Sequence, residues 1–131
     1  MREMPKRKFR ELILQALYAH DFNNDLDIEA LYPQHTGELL GIEERMKKII
    51  CRLPKIDEWI TNSSKEYEFN RISSIEKNVL RLAVFEMVYD DEIPPKVAMS
   101  EAIRLTRKYG THEGGSYVNA ILDTISKEEL K

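Results

Sequence analysis

A single cysteine, Cys51, among 131 residues excludes an internal disulfide framework and a cysteine-only zinc site. No apolar run approaches the ~18 residues that a bilayer-crossing helix needs. The N-terminus leads from basic residues into an amphipathic stretch, not into the continuous apolar run of a signal peptide. The expectation is a protein of the reducing cytoplasm with no membrane attachment. Sustained polar–apolar alternation is also missing, as are the Asn-Gly and Asp-Gly pairs that mark hairpins, so no strand pattern stands out. The three histidines, His20, His35 and His112, sit in unrelated contexts with no metal-ligand spacing. His20 falls on an apolar stripe and reads as a core-edge side chain, and Cys51 reads as a buried thiol. Glu43-Glu44 and Asp57-Glu58 read as ordinary helical surface acids. The run Gly110 to Ser116 (G-T-H-E-G-G-S) has glycines but lacks the Lys and Ser/Thr of a phosphate-binding loop and follows a helix, so nucleotide hydrolysis is excluded. Nothing assembles a nucleophile, a base and an orienting group. No catalytic residue, metal or cofactor is expected.

What is present is helical periodicity over a chain that is 42% hydrophobic, enough to build a core. The chain therefore reads as all-α. A first helix is expected from about Pro5 to Phe22, with Phe9, Leu12, Ile13, Ala16, Leu17 and His20 on its core face. A short helix over 27–32, a loop over 34–37 and a helix over 38–53 follow, the last with Leu39, Leu40, Ile42, Met46, Ile49 and Ile50 as apolar positions. Pro54 should end or kink it, and Ile56, Trp59 and Ile60 continue for a turn or two. Ser73-Ser74-Ile75-Glu76 fits a capping box ahead of a helix running to about Tyr89. That helix is apolar around most of its circumference, so it should be buried on several sides, and Glu86 within it needs a partner. Pro94 and Pro95 reset the chain. The next helix should turn Ala98, Ala102, Leu105 and Tyr109 inward and Ser100, Arg104 and Arg107 outward, and stop at Gly110. A last helix over about 114–127 stacks Val118, Ile121, Leu122 and Ile125.

The charge is unevenly placed. The net charge is −3, yet the first ten residues carry Arg2, Lys6, Arg7, Lys8 and Arg10 against Glu3 alone. A basic tip on an acidic body suits one local polyanion contact. On the ~100° wheel of the first helix, Arg7, Arg10, Glu11, Leu14 and Tyr18 fall together, opposite the core stripe. Two arginines in line with a tyrosine suit single-stranded nucleic acid: the cations meet phosphates and the ring offers a stacking surface. From geometry alone the same face suits packing better, with Leu14 and Tyr18 buried against another helix or a second copy of the chain.

Three stretches resemble the NusB family of bacterial transcription antitermination factors: Arg71 to Met87 (R-I-S-S-I-E-K-N-V-L-R-L-A-V-F-E-M), Ile93 to Gly110 (I-P-P-K-V-A-M-S-E-A-I-R-L-T-R-K-Y-G) and Tyr117 to Asp123 (Y-V-N-A-I-L-D). Arg10 to Tyr18 (R-E-L-I-L-Q-A-L-Y) is similar to that family's first helix. The resemblance implies about seven helices in two small packed bundles. The chain would then be a single domain over 1–131, with subdomains of about 1–72 and 73–131. It implies a protein that pairs with a small-subunit ribosomal protein (the NusE role), binds boxA-type single-stranded RNA and joins elongating RNA polymerase, notably on ribosomal RNA operons. RNA contacts are implied for Lys6, Arg7, Arg10 and Tyr18, and for Glu113, Ser116 and Tyr117. A partner contact is implied near Glu76. Ser116 stands where the family usually has a basic residue, and Tyr117 where phenylalanine is common. Two rival readings are a homo-oligomerisation module, giving a homodimer, and an accessory RNA-binding domain related to ribosomal RNA cytosine methyltransferases.

Overall fold

The computed structural model describes residues 6–22, 39–64 and 72–129, and the described residues contain six helices and no strand. They are α1 (Lys6–Phe22), α2 (Leu39–Ile50), α3 (Leu53–Ser63), α4 (Ser74–Tyr89), α5 (Pro95–Tyr109) and α6 (His112–Glu129). The all-α expectation holds. The short helix expected over 27–32, the loop over 34–37, Pro5, His35 and Glu38 lie outside the described residues. None of the helices described is long and apolar enough to cross a membrane.

The chain divides into two compact units, Met1–Cys51 and Arg52–Lys131. The division lies earlier than the subdomain boundary expected near 72/73. The reason is α3, which packs on α4 and α6 and so belongs with the C-terminal helices. Pro54 sets this boundary differently from expectation. It does not terminate the preceding helix; that helix has already ended at Ile50, and Pro54 occupies the first turn of α3. There its missing N–H costs nothing, because the first turn has no intrahelical acceptor for it. Cys51, in the intervening turn, is exposed, with its Sγ 3.2 Å from the Lys48 carbonyl oxygen. The expectation of a buried thiol is thus corrected: the helix break places it at the surface.

In the first unit α1 and α2 pack together. A Cβ at Gly41 on α2 would meet the Phe9 ring at 3.8 Å, an ordinary van der Waals contact, so the packing of α1 on α2 does not require glycine there. Ile42, Met46 and Ile49 are buried as their spacing requires, while Leu40 is 67% exposed.

The second unit is built on α4. Ser73 caps it, its hydroxyl accepting the Glu76 N–H at 3.2 Å. Every residue from Asn78 to Met87 is buried, including Arg81 and Glu86. Glu86 is engaged within the protein, as a buried carboxylate must be. Arg81 reaches α3, where its Nε and Nη2 each donate to an Asp57 carboxylate oxygen at 2.9 Å. Its Nη1 donates to Asn78 Oδ1 at 3.1 Å, and Asn78 Nδ2 donates to the Ser74 carbonyl at 2.9 Å. Asp57, read from sequence as a surface acid, is instead the fixed end of this network. Trp59 on α3 stacks on Tyr89, with ring centroids 6.1 Å apart, and the Arg52 guanidinium lies over the Tyr89 ring, 4.8 Å from its centroid.

Asp90 closes α4 and its side chain accepts the Glu92 N–H at 3.0 Å, turning the chain toward the prolines. Pro94, extended at ψ 138°, caps α5, and Pro95 begins it. Ala98, Ala102 and Leu105 are buried as expected, but Tyr109 is 39% exposed, because α5 ends as the chain turns. Gly110 stops the helix without a left-handed conformation: its φ is −116°. What it requires is closeness, since a Cβ there would stand 2.9 Å from the Thr106 carbonyl oxygen that accepts its N–H. On α6, Val118, Ile121, Leu122 and Ile125 are all buried.

Candidate nucleic-acid interface

The α1 surface is narrower than the wheel suggests. Lys6 and Arg7 are exposed and Tyr18 is 38% exposed, but Leu14 is 2% exposed and Arg10 6%. Arg10 is moreover engaged within the protein. The wheel gives the angle of a side chain and says nothing of what covers it; α1 is covered on more than one side. The expected row of Arg7, Arg10, Leu14 and Tyr18 is therefore interrupted in its middle. Arg7 and Tyr18 remain on one line, about 16 Å apart at the helical rise. Leu14 has no surface to offer a second copy, which removes half of the contact expected for a homo-oligomerisation face.

One residue that the sequence reading passed over joins this surface. Phe22 is 69% exposed and meets Tyr18 edge-on, with centroids 5.0 Å apart and planes at 61°. Its signal was present: Tyr18 and Phe22 are four apart, and side chains at that spacing meet on a helix. Two rings in contact at the surface offer a broader stacking platform than either alone.

In the second unit the sequence-predicted residues cluster at the start of α6. This helix begins two residues before the expected start. Thr111 caps it, its hydroxyl accepting the Gly114 N–H at 2.9 Å. Gly114 and Gly115 thus lie buried inside the first turns, and the Gly114 N–H is committed to the cap. The Gly114 N–H is therefore not available to an anion. Glu113 and Ser116 are exposed and Tyr117 is half-buried.

The two glycines admit different neighbours. A Cβ on Gly114 would stand 2.5 Å from Glu76 Oε1, 3.0 Å from Thr106 Cγ2 and 3.1 Å from Thr111 Oγ1. Glu76, implied as a partner contact, thus reaches from α4 to the first turn of α6. A carboxylate there is favoured by the positive end of the helix dipole. A Cβ on Gly115 would stand 3.3 Å from Arg107 Nε and 3.4 Å from its Cγ. Arg107 of α5 therefore lies across the residue preceding Ser116.

These contacts predict opposite signs for two similar substitutions. Alanine normally gains about 1 kcal/mol over glycine inside a helix. At Gly115 only a flexible arginine stem must shift, so Gly115→Ala should be neutral or stabilising by up to about 1 kcal/mol. At Gly114 the cap hydroxyl and a threonine methyl are in the way, so Gly114→Ala should destabilise by about 1–2 kcal/mol net. Urea denaturation of the two variants decides it; equal effects would contradict the packing described.

Among the described residues, no three of His, Cys, Asp and Glu gather as metal ligands. The first unit presents exposed cations and an exposed ring pair on α1, and the second unit, by itself, presents the start of α6. The sequence profile of the NusB family matches residues 7–127. The transcription antitermination protein NusB of Desulfosudis oleivorans is 34% identical over 139 residues, covering 94% of this chain and 86% of that protein. The solved structure of T. maritima NusB superposes with a TM-score of 0.86 at 32% identity, covering 99% of this chain and 96% of that one. A crystal structure of the antitermination factors NusB and NusE in complex with dsRNA has the same fold, with a TM-score of 0.77 at 20% identity over 93% of this chain and 96% of that one. With the profile reaching into every described helix and a relative at this identity matched along most of its length, the chain belongs to the NusB family.

Proposed function

We propose that this protein is an RNA-binding transcription antitermination factor. It pairs with a small-subunit ribosomal protein in the NusE role, binds boxA-type single-stranded RNA and joins elongating RNA polymerase to suppress termination, notably in ribosomal RNA transcription. The observation that carries this reading is the family match over residues 7–127. The exposed Lys6, Arg7, Tyr18 and Phe22 of α1 support it, as do the exposed Glu113 and Ser116 of α6. Cations hold phosphates and position the strand; rings accept unstacked bases. Arg10, being buried, is assigned a structural part in holding α1, and Lys6 and Arg7 carry the phosphate contacts. Glu76 supports the start of α6 and in this reading borders the protein partner. The chain acts by binding in the cytoplasm, without catalysis, metal or cofactor.

The test is a fluorescence-anisotropy titration of boxA-like against scrambled RNA across a salt series, with and without the ribosomal partner. The boxA-like RNA should bind more tightly, the preference should grow with the partner, and affinity should fall as salt rises. Equal affinity for both RNAs with the partner present would overturn the proposal.

A further inference from the structure

A second basic surface lies in the C-terminal unit, outside the residues assigned so far. In a chain of net charge −3, α5 carries Lys96, Arg104, Arg107 and Lys108 against Glu101 alone. Lys96, Arg104 and Arg107 share one face, at spacings of eight and three. That face forms a wall of an open groove of about 670 Å³, with Met99 and Ile103 as its apolar part and Asn119 of α6 opposite. Among the described residues, no carboxylate lines it. Arg104 is held by Glu101, Nε to Oε2 2.6 Å, so the positive field comes from Lys96 and Arg107, both exposed.

Position gives the groove its meaning. Arg107 lies against Gly115, which has no Cβ to push it away. Asn119, one turn after Gly115, is the α6 residue that lines the groove, and Ser116 of the assigned RNA contact directly follows Gly115 in the chain. Ser116 supplies no charge; Arg107, laid across the preceding residue from the neighbouring helix, does.

We propose that this α5–α6 groove is a track for the RNA backbone beyond the Ser116–Tyr117 contact. Arg107 holds the first phosphate, and Lys96, about 16 Å further along α5, holds a later one. Met99 and Ile103 give sugars or bases an apolar floor, and the Asn119 amide a hydrogen-bonding edge. An acidic protein surface would meet the same charges; continuity with the α6 contact favours RNA. The inference rests on the RNA-binding reading above.

The test uses the full chain with its ribosomal partner and two RNAs, a boxA-length core and the same core extended by several nucleotides. Arg107→Gln should weaken both RNAs about threefold to tenfold and lower the salt slope by about 0.7, the value for one phosphate on a single strand. Arg107→Lys should keep the slope. Lys96→Gln should weaken only an extended RNA. Thermal unfolding should be unchanged, since both side chains are exposed. If both Gln variants bind each RNA like wild type while Tyr18→Ala weakens binding, the track is wrong and the RNA-binding reading stands. If they lose the ribosomal protein in the absence of RNA, the groove is a protein-docking face and the proposal fails. If wild type shows no preference between boxA-like and scrambled RNA and Tyr18→Ala changes nothing, the functional reading falls and the track with it.

Discussion

Asp57→Ala is expected to lower the unfolding free energy by about 2–3 kcal/mol, more than its position among polar residues suggests. The Arg81 side chain is 10% exposed and Asp57 25%, and the two are joined by two parallel hydrogen bonds of 2.9 Å. Such a bidentate pair is the strong form of an ion pair. Removing the carboxylate leaves a guanidinium nearly out of water, which costs about 3–5 kcal/mol at fully buried sites; the partial exposure of Asp57 reduces that figure. Arg81→Met together with Asp57→Ala should recover part of the loss, since no charge then remains to be desolvated. Recovery should stay incomplete, because Asn78, fully buried, loses the donor to its Oδ1. Urea denaturation of the two single variants and the double variant measures this as a cycle. A loss below about 0.5 kcal/mol for Asp57→Ala would mean the pair behaves as a solvated surface pair.

That network also marks where sequence reasoning ends. The α4 helix was legible because its apolar residues surround it, and a helix with no polar side has to be buried. Its cap was legible because Ser73 and Glu76 stand three apart, and the prolines at 94 and 95 fixed the start of α5. Each of these is a local signal. Asp57 was misread because its partner lies 24 residues away, a distance at which spacing says nothing. Arg10 was misread for a related reason, since periodicity identifies one buried face of α1 and cannot report a second; for Leu14 the packing alternative is the one that holds. The last helix was expected to start at Gly114, whereas Thr111 caps it and its first turns enclose both glycines; at Gly114 the neighbouring Thr106 and Thr111 side chains occupy the space a Cβ would need. Arg7, Arg10 and Tyr18 came from the helical wheel of α1, and Lys6, Glu113, Ser116 and Tyr117 from family resemblance. The Tyr18–Phe22 pair and Arg107 came from placement.

Tyr18→Ala is expected to weaken boxA-type RNA binding by about 1–3 kcal/mol, the range for one base stacked on one ring, while leaving helix content intact. Tyr18 is exposed enough for truncation to leave little cavity, and its neighbour Phe22 is more exposed still. Tyr18→Phe should retain most of the affinity, because the ring supplies the stacking surface. Phe22→Ala separates two roles. If Phe22 only fixes the Tyr18 ring from its edge, its removal should cost less than Tyr18→Ala, and the double variant should resemble Tyr18→Ala alone. If Phe22 carries a base of its own, the two losses should approach additivity. Arg7→Gln, on the same line of α1, should lower the salt slope by about 0.7, whereas Tyr18→Ala should shift affinity equally at every salt concentration. Anisotropy titrations of these variants, with circular dichroism as the folding control, distinguish stacking from charge. Wild-type affinity in Tyr18→Ala would remove α1 from the RNA surface and leave the start of α6 to carry it.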